Sequence, residues 1–477
     1  MTAFREAETR PARDEVPAVM LVLTTMTAQN LVRPLEDAWQ NVIDATLRER
    51  GAPITSDIRR LGPKVMALSR TYNASLAGHA GHGEGASARA LALDALEARI
   101  GFSFARDVPK GAGAVRELVA SGKLTIPHER PLRIVDVGAG LGAMTWGIAR
   151  ALEAANQSGS IDALFIDDDE AVLSVAKAMA DTAQRSLPSA KVKLAVLTRT
   201  ADIQPALRLP QADLVVVGQV LSELDLALAA SERALRHAAM LAGWLATSVN
   251  RGGALVVIEP ALRDRTRHLH AVRDALIAAG KAYVFAPCLH NQNCPALSAQ
   301  GQWCHEDLDV DLPTWLAPLA RGAGLRWQGL SFSYLVLQPD RFRFDAISSL
   351  AAPVRSSKPE EAVPVRSSPT ASISRQLESG LGPTLRGLHL RVISDVMRTK
   401  GKVEIFGCTS KGERVRFRRL DRDANPNNLA WNNLCRGDIV ALLPGANAPG
   451  ASVEKGGRLC PDATVRVWPT YGGAHLR

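Results

Sequence analysis

A short apolar run that turns on glycines limits this chain more than any other feature. Residues Leu132 to Val137 read LRIVDV, and the run continues as Gly138-Ala139-Gly140-Leu141-Gly142 before the helical stretch WGIARALEAA. The run is apolar and β-branched enough for a buried strand, and the stretch after the glycines has helical spacing. A strand that passes through glycines into a helix is the first βα unit of a doubly wound sheet. Glycines there let the backbone approach a ligand closely. The first turn of the following helix aims free N–H groups at the same place.

The same alternation repeats downstream. Ala163 to Ile166 reads as a strand ending at Asp167, with a helix from Glu170. Leu194 to Leu197, Asp213 to Val217 and Ala254 to Ile258 supply further strands, Ala282 to Phe285 extends the sheet, and Leu330 to Gln338 is a late strand. Strands alternating with helices predict an α/β fold with a mostly parallel sheet and helices on both faces. Residues 1–125 read as a helical N-terminal region. Leu35 to Arg50 sets Leu35, Trp39, Val42, Ile43 and Leu47 on one face, with Gly51 to end the helix, and Ser87 to Ile100 repeats the pattern. The Gly/His loop between them carries His79 and His82, which have no thiol or carboxylate beside them and read as solvated. The sheet domain is expected over 126–342. A disordered linker, rich in Ser, Pro and Ala and repeating PVRSS, is expected over 343–381. Residues 382–477 read as a basic β module of five short strands, near His389–Ile393, Lys402–Phe406, Arg414–Leu420, Asp438–Leu443 and Thr464–Trp468. Gly-rich turns between them suit a small barrel of the oligonucleotide-binding type.

Thiols are concentrated between Ala286 and His305, APCLHNQNCPALSAQGQWCH. There Cys288, Cys294 and Cys304 are spaced C-x5-C-x9-C beside His290 and His305. Such a loop reads as a metal or cluster site, with a fourth ligand to be found elsewhere. Four thiolates suit iron–sulfur or zinc equally. The bland reading is three buried free thiols. The other cysteines are Cys408, Cys435 and Cys460. Six in 477 residues make no disulfide scaffold and favour a reducing compartment.

The formal charge is +9, and from Leu381 to Arg477 there are 16 Lys/Arg against 8 Asp/Glu, a difference of +8. The excess therefore lies in the C-terminal module and points to a polyanion such as nucleic acid. The bland alternative is a solubilising surface. Lys400 to Arg422 holds eight Lys/Arg against three acids. A strand there would show Arg414, Arg416 and Arg418 on one face, with Phe417 on the other as core. The N-terminus lacks the basic-then-apolar pattern of a leader, and Val16 to Leu23 is too short to span a membrane. A soluble cytoplasmic protein with no membrane partner is expected, and the Ala, Arg and Leu bias suggests a bacterial source.

The glycine turn is G-x-G-x-G with an acid on the strand. A dinucleotide fingerprint would need glycine where Ala143 stands. The acid-first pattern resembles motif I of class I S-adenosylmethionine-dependent methyltransferases, a Rossmann-like fold. The resemblance implies that Asp136 lies near the amino-acid end of the cofactor and that Gly138, Gly140 and Gly142 form the turn around it. It further implies that Asp167 binds the ribose hydroxyls, with Asp168 and Asp169 adjacent in register, and that Gln219 lines the pocket after the fourth strand. Amino-group methylators carry Asn/Asp-Pro-Pro-aromatic after that strand, and cytosine C5 methylators a nucleophilic cysteine after the fourth or fifth. This chain has GQVLSEL there and neither feature. Glu223 is a candidate base, although a carboxylate capping a helix start is the commoner meaning. The sequence supports a cofactor fold better than methyl transfer, and catalysis stays open.

Together VDVGAGLGA, GQVLSEL, VIEP at Val257–Pro260, APC-x-H…CP…WCH and FSYLVL resemble one family over roughly 60 to 440. It is the methyltransferase-like family of small-ribosomal-subunit proteins, called Rsm-twenty-two in yeast mitochondria and methyltransferase-like-seventeen in animals. The resemblance implies assembly of the small ribosomal subunit, RNA binding, and a [4Fe-4S] cluster, with zinc as the alternative. Matched residues imply Cys288, Cys294, Cys304 and Cys408 as ligands. The long linker before Cys408 keeps Cys435 as an alternative fourth. The expected partner is small-subunit ribosomal RNA or a pre-ribosomal particle, with no DNA. The other readings are an active S-adenosylmethionine-dependent RNA methyltransferase and a redox- or iron-sensing regulator of ribosome assembly.

Overall fold

The computed structural model describes residues 31–75, 93–327, 329–339, 387–445 and 451–468. His79 and His82, the segment Val16 to Leu23, the first part of the Ser87–Ile100 helix and the expected linker 343–381 lie outside the described residues. Among the described residues no helix is long and apolar enough to cross a membrane.

Eight strands form the main sheet: β1 (Leu132–Val137), β2 (Gly159–Asp167), β3 (Val192–Thr200), β4 (Ala212–Gly218), β5 (Val249–Pro260), β6 (Tyr283–Ala286), β7 (Glu306–Leu308) and β8 (Leu330–Gln338). Their order is β3-β2-β1-β4-β5-β8-β6, with short β7 also paired to β8. The first five run parallel. β8 runs antiparallel between β5 and β6. Parallel strands covered on both faces need continuous apolar runs, which is what LRIVDV, DLVVV and ALVVI supply. Ile134, Leu214, Val216 and Val256 face one layer, and Val135, Val215, Val217 and Val257 face the other. This strand order with a reversed β8 is the Rossmann-like class I methyltransferase sheet. The order reverses beside β1, so a ligand crevice is expected outside the carboxyl ends of β1 and β4.

The N-terminal helices belong to the same core. They are α1 (Ala38–Glu49), α2 (Ile58–Ser75) and α3 (Phe104–Ala120), the last led in by a π turn at Arg99–Ser103. Trp39 of α1 sets its ring edge-on to Trp146, with centroids 4.7 Å apart. Trp146 lies on α4 (Ala143–Ala154), the helix that leaves the glycine turn; α5 (Glu170–Ser186) follows β2. The helices α6 (Ala230–Thr247) and α7 (Arg263–Ala278) cover the opposite face. α3 and α4 touch backbone to backbone. A Cβ on Gly111 would lie 2.1 Å from the Met144 carbonyl oxygen, and one on Gly147 would lie 2.0 Å from that of Val108.

The C-terminal module is a separate antiparallel sheet of β9 (Leu388–Val392), β10 (Met397–Thr399), β11 (Lys402–Thr409), β12 (Arg414–Leu420), β13 (Ile439–Leu443) and β14 (Thr464–Trp468). Its order is β10-β11-β9-β13-β14, with β12 on β11. The five strands read from sequence are there, and β10 is a short sixth. Phe417 and Trp431 anchor its own core, so the aromatic on β12 is a packing residue.

Polar side chains dock this module on the main domain. Arg391 of β9 reaches Glu117 of α3 at 2.6 Å, and Arg436 reaches Asp307 of β7 at 2.6 Å. Beside them Arg116 pairs with Glu306 and donates to the Tyr334 hydroxyl at 3.3 Å.

The glycine contact predicts a large effect. Gly111→Val would drive its side chain into the Met144 carbonyl and separate α3 from α4. The expected loss is at least ~3 kcal/mol of stability by urea unfolding. A loss under about 1 kcal/mol would mean that the helices slide apart freely.

Candidate functional site

Three glycines of the turn after β1 hold left-handed φ: +68° at Gly138, +50° at Gly140 and +78° at Gly142. Side chains rarely adopt this region. Their surroundings differ. A Cβ would lie 2.2 Å from Val220 at Gly138 and 2.3 Å from Phe165 at Gly142, but would meet nothing within 4 Å at Gly140. The open side of the turn is therefore over Gly140, where a ligand can lie against backbone.

Two acids flank that opening. Asp136 is buried, with one carboxylate oxygen accepting from the Thr145 hydroxyl at 2.7 Å and the other without a partner. Burial pushes its carboxyl up to about 7, against the pull of the Thr145 bond and with a push from Asp167. Asp167 ends β2 and faces the turn, accepting the Gly140 N–H at 2.8 Å and the Asp169 N–H at 3.2 Å. Burial raises its pKa too, and those two N–H bonds oppose the rise. Asp169 is the N-cap of α5, accepting from the N–H groups of Ala171 and Val172 at 3.0 and 3.2 Å. So Asp167 is the acid on the turn, Asp169 is occupied as a cap, and Asp168 opens onto a surface groove.

The loop after β4 turns its polar groups inward. Gln219 has φ +62°, its N–H donates to Ile258 at 2.6 Å, and its side-chain amide donates to Asp107 of α3 at 3.4 Å. Asp107 also pairs with Lys110 at 3.0 Å and Arg106 at 2.8 Å. Burial alone would raise the Asp107 carboxyl, but those two cations outweigh it and hold it well below the usual range. Glu223 caps no helix, because it lies in a turn and α6 begins only at Ala230. Burial raises its pKa, opposed by Arg265 and Arg99. The carboxylate that serves backbone here is Glu259 of β5, which accepts the N–H groups of Leu221 at 2.8 Å and Ser222 at 3.2 Å. Burial pushes it up to about 7. Sequence reasoning passed over Glu259, although an acid ending an apolar strand, VIEP, was the available signal.

Cys288, Cys294, Cys304 and Cys408 line one cavity of about 40 Å³, between the β6–β7 loop and β11. That is room for roughly three water-sized bodies, a large gap for a close-packed interior. All six cysteines are free. Burial pushes the Cys294 and Cys408 thiols up to about 12 and Cys304 well above its ordinary value, and neighbouring thiols of the set add to each rise. Three of the four are therefore neutral in the protein alone. A positively charged, thiolate-preferring group is what would draw their protons off, so the donor set fits a metal group. Among the described residues no three His, Cys, Asp or Glu side chains are grouped to hold a single metal ion. Cys435 does not line the cavity. Its N–H donates to Asp438 at 2.7 Å, and burial pushes its thiol up to about 11. Cys460 is buried inside the module.

The cysteine loop is cast on one face of α7. The Arg267 guanidinium donates to the carbonyls of Ala296, Ala299 and Gln302 at 2.9, 2.8 and 2.7 Å. His270 accepts the Cys304 N–H at 3.2 Å, and burial with the Arg273 and Arg267 charges pushes it down to about 3. Arg273 donates to the carbonyls of His290 and Gln292, both at 2.8 Å. Asp274 accepts the Cys294 N–H at 2.9 Å. None of these four residues was singled out from sequence.

On β12, Arg414 lies over the Phe406 ring at 4.5 Å. Arg416 pairs with buried Glu404 at 2.8 Å, and Lys402 with the same carboxylate at 3.1 Å. Arg418 is partly buried, with its backbone bonded to Gly457 and Leu459. Part of the expected cationic face is thus matched internally. Lys400 and Arg422 are exposed at one end of the module, where the Asp421 N–H meets the Gly401 carbonyl at 3.0 Å.

A family profile described as mitochondrial small ribosomal subunit Rsm22 matches residues 102–416. No curated protein matches. Among solved structures, a candidate class I S-adenosylmethionine-dependent methyltransferase from Listeria monocytogenes is 15% identical, with 73% of this chain and 98% of that one covered at a TM-score of 0.33. A precorrin-6Y C5,15-methyltransferase from Geobacter metallireducens is 11% identical, covering 48% and 85% at 0.25. A methyltransferase from Pyrococcus furiosus is 12% identical, covering 47% and 82% at 0.26. These overlaps are partial, and the fold assignment rests on the strand order.

Buried Asp136 generates a pH prediction. Its folded pKa of about 7 lies above the unfolded value of about 3.9. Its contribution is therefore fully present below about pH 4 and lost as pH rises through about 7. Relative to Asp136→Asn, the native protein should lose on the order of 4 kcal/mol over that window. Chemical unfolding of both proteins across the window measures it. A constant difference would mean that Asp136 ionises as it does in the unfolded chain.

Proposed function

The chain belongs to the mitochondrial small ribosomal subunit Rsm22 family, and from that membership we propose that it binds small-subunit ribosomal RNA or a pre-ribosomal particle as an assembly factor. In this reading it carries S-adenosylmethionine on the open side of Gly140 and a four-iron cluster among Cys288, Cys294, Cys304 and Cys408. The observation that carries it is the gathering of four thiols, spread over positions 288 to 408, around one buried cavity. A gap of about 40 Å³ ringed by four soft donors has room for a polynuclear group. When bound, such a group supplies a bond between the loop and β11, and so joins module to domain. Arg391 and Arg436 make the same junction through ion pairs.

The residues of the cradle have simple duties in this account. Gly140 leaves its backbone uncovered, Asp167 offers a carboxylate for ribose hydroxyls, and Asp136 sits beneath the turn. Gln219 and the Leu221 and Ser222 N–H groups already have partners within the protein. A loop so engaged supports cofactor binding without methyl transfer.

Two measurements test the proposal. Calorimetry of anaerobically prepared protein should show S-adenosylmethionine binding that Asp167→Ala weakens at least tenfold. No binding to the native protein would reduce the domain to a scaffold. For the partner, the double reversal Lys400→Glu, Arg422→Glu should weaken binding to small-subunit ribosomal RNA. It should also lower the slope of log affinity against log salt by about 2, roughly one per lost phosphate contact. An unchanged slope would leave the basic end as solvated surface. Transfer of labelled methyl groups to that RNA would instead favour an active RNA methyltransferase.

A further inference from the structure

Three imidazoles, His270, His290 and His305, line the thiol cavity, and in the first two the structure fixes which nitrogen carries the proton. The Gln292 backbone N–H donates to Nδ1 of His290 at 3.1 Å, so Nδ1 is bare and the proton is on Nε2. That Nε2 lies 3.4 Å from Sγ of Cys408. The Cys304 backbone N–H donates to Nε2 of His270 at 3.2 Å, so the proton of His270 is on Nδ1. Nδ1 of His270 is buried without a partner, although the ring is only 6% exposed and lines the cavity. A nitrogen that ligates a metal must be bare. Both bare nitrogens here are engaged by backbone, and both remaining nitrogens are donors.

A buried donor left without an acceptor keeps its full desolvation penalty. His270 therefore calls for an acceptor that the protein does not provide. We propose that His270 and His290 are hydrogen-bond donors to the group held in the cavity, His290 to the thiolate of Cys408 and His270 to a non-protein acceptor atom of that group. This rests on the cluster reading and sharpens it. A sulfur-bridged iron cluster presents inorganic sulfides as acceptors, whereas a lone zinc ion with four protein sulfurs presents none. Donors to cluster sulfurs stabilise the more negative, reduced state and so raise the reduction potential. His270 and His290 thus poise the group without holding it.

The test uses full-length protein purified anaerobically, with iron and zinc content measured beside a dye-mediated redox titration followed by electron paramagnetic resonance. His270→Leu and His290→Leu should keep the iron content of the native protein. Each should shift the ratio of reduced to oxidised form at fixed potential about tenfold toward oxidised, which is ~59 mV for a one-electron couple. His270→Asn and His290→Gln keep an N–H near the original donor and should bring the potential most of the way back to the native value. Unchanged potentials at full iron content would overturn the proposal while leaving the cluster reading intact. Loss of iron in both the Leu and the Asn or Gln variants would also overturn it, by making the histidines necessary for holding the group. Native protein with zinc and no iron would overturn the cluster reading itself, and this proposal with it.

Discussion

Burying two guanidinium groups at one junction constrains everything around them. Arg116 and Arg391 are both buried, and neither can stay so without anionic or oxygen partners. The partners come from distant parts of the chain. Glu306 follows the cysteine loop, Tyr334 is on β8, and Glu117 is on α3 and receives both Arg391 and the Tyr334 hydroxyl. Such a network adds little net stability compared with a well-packed apolar core, because desolvation offsets most of the attraction. Its consequence is register. The placement of the C-terminal sheet that pairs Arg391 with Glu117 also brings Cys408 to the other three thiols.

The same helix serves both candidate sites. α3 presents Asp107 to Gln219 at the cofactor crevice, and ten residues later presents Glu117 to Arg391 at the thiol cavity. Ten helical residues span about 15 Å, and Gly111 between them lets α3 rest directly on the backbone of α4. The helix that follows the glycine turn and the helix that anchors the module are therefore packed as one unit. A region that reads in sequence as an N-terminal addition is a wall of both sites.

Much of this was legible in the sequence, for physical reasons that can be named. Parallel strands buried on both faces must be apolar throughout, so β1, β4 and β5 declared themselves. The left-handed turn needs glycines, and the cysteines of the loop stand out by density. The rest depends on partners distant in sequence. Glu259 looks like a strand-end acid until the loop after β4 is folded over it. Arg267, His270, Arg273 and Asp274 look like a solvated face until the cysteine loop covers them, and a lone Arg391 in LHLRVI gives no sign of Glu117. Asp167 and Asp169 differ only in which backbone N–H groups reach them. The charge count of the module was correct as a sum, yet it could not show that Arg416 and Lys402 share Glu404.

The central claim is that four thiols from two parts of the chain hold one polynuclear group. The most direct measurement is the metal and acid-labile sulfide content of anaerobically purified protein, read beside its visible absorption spectrum. The account predicts about four irons and four sulfides per chain, with a broad sulfur-to-iron charge-transfer band that is lost in Cys408→Ser and kept in Cys435→Ser. One zinc per chain with no sulfide, or full iron content in Cys408→Ser, would contradict it.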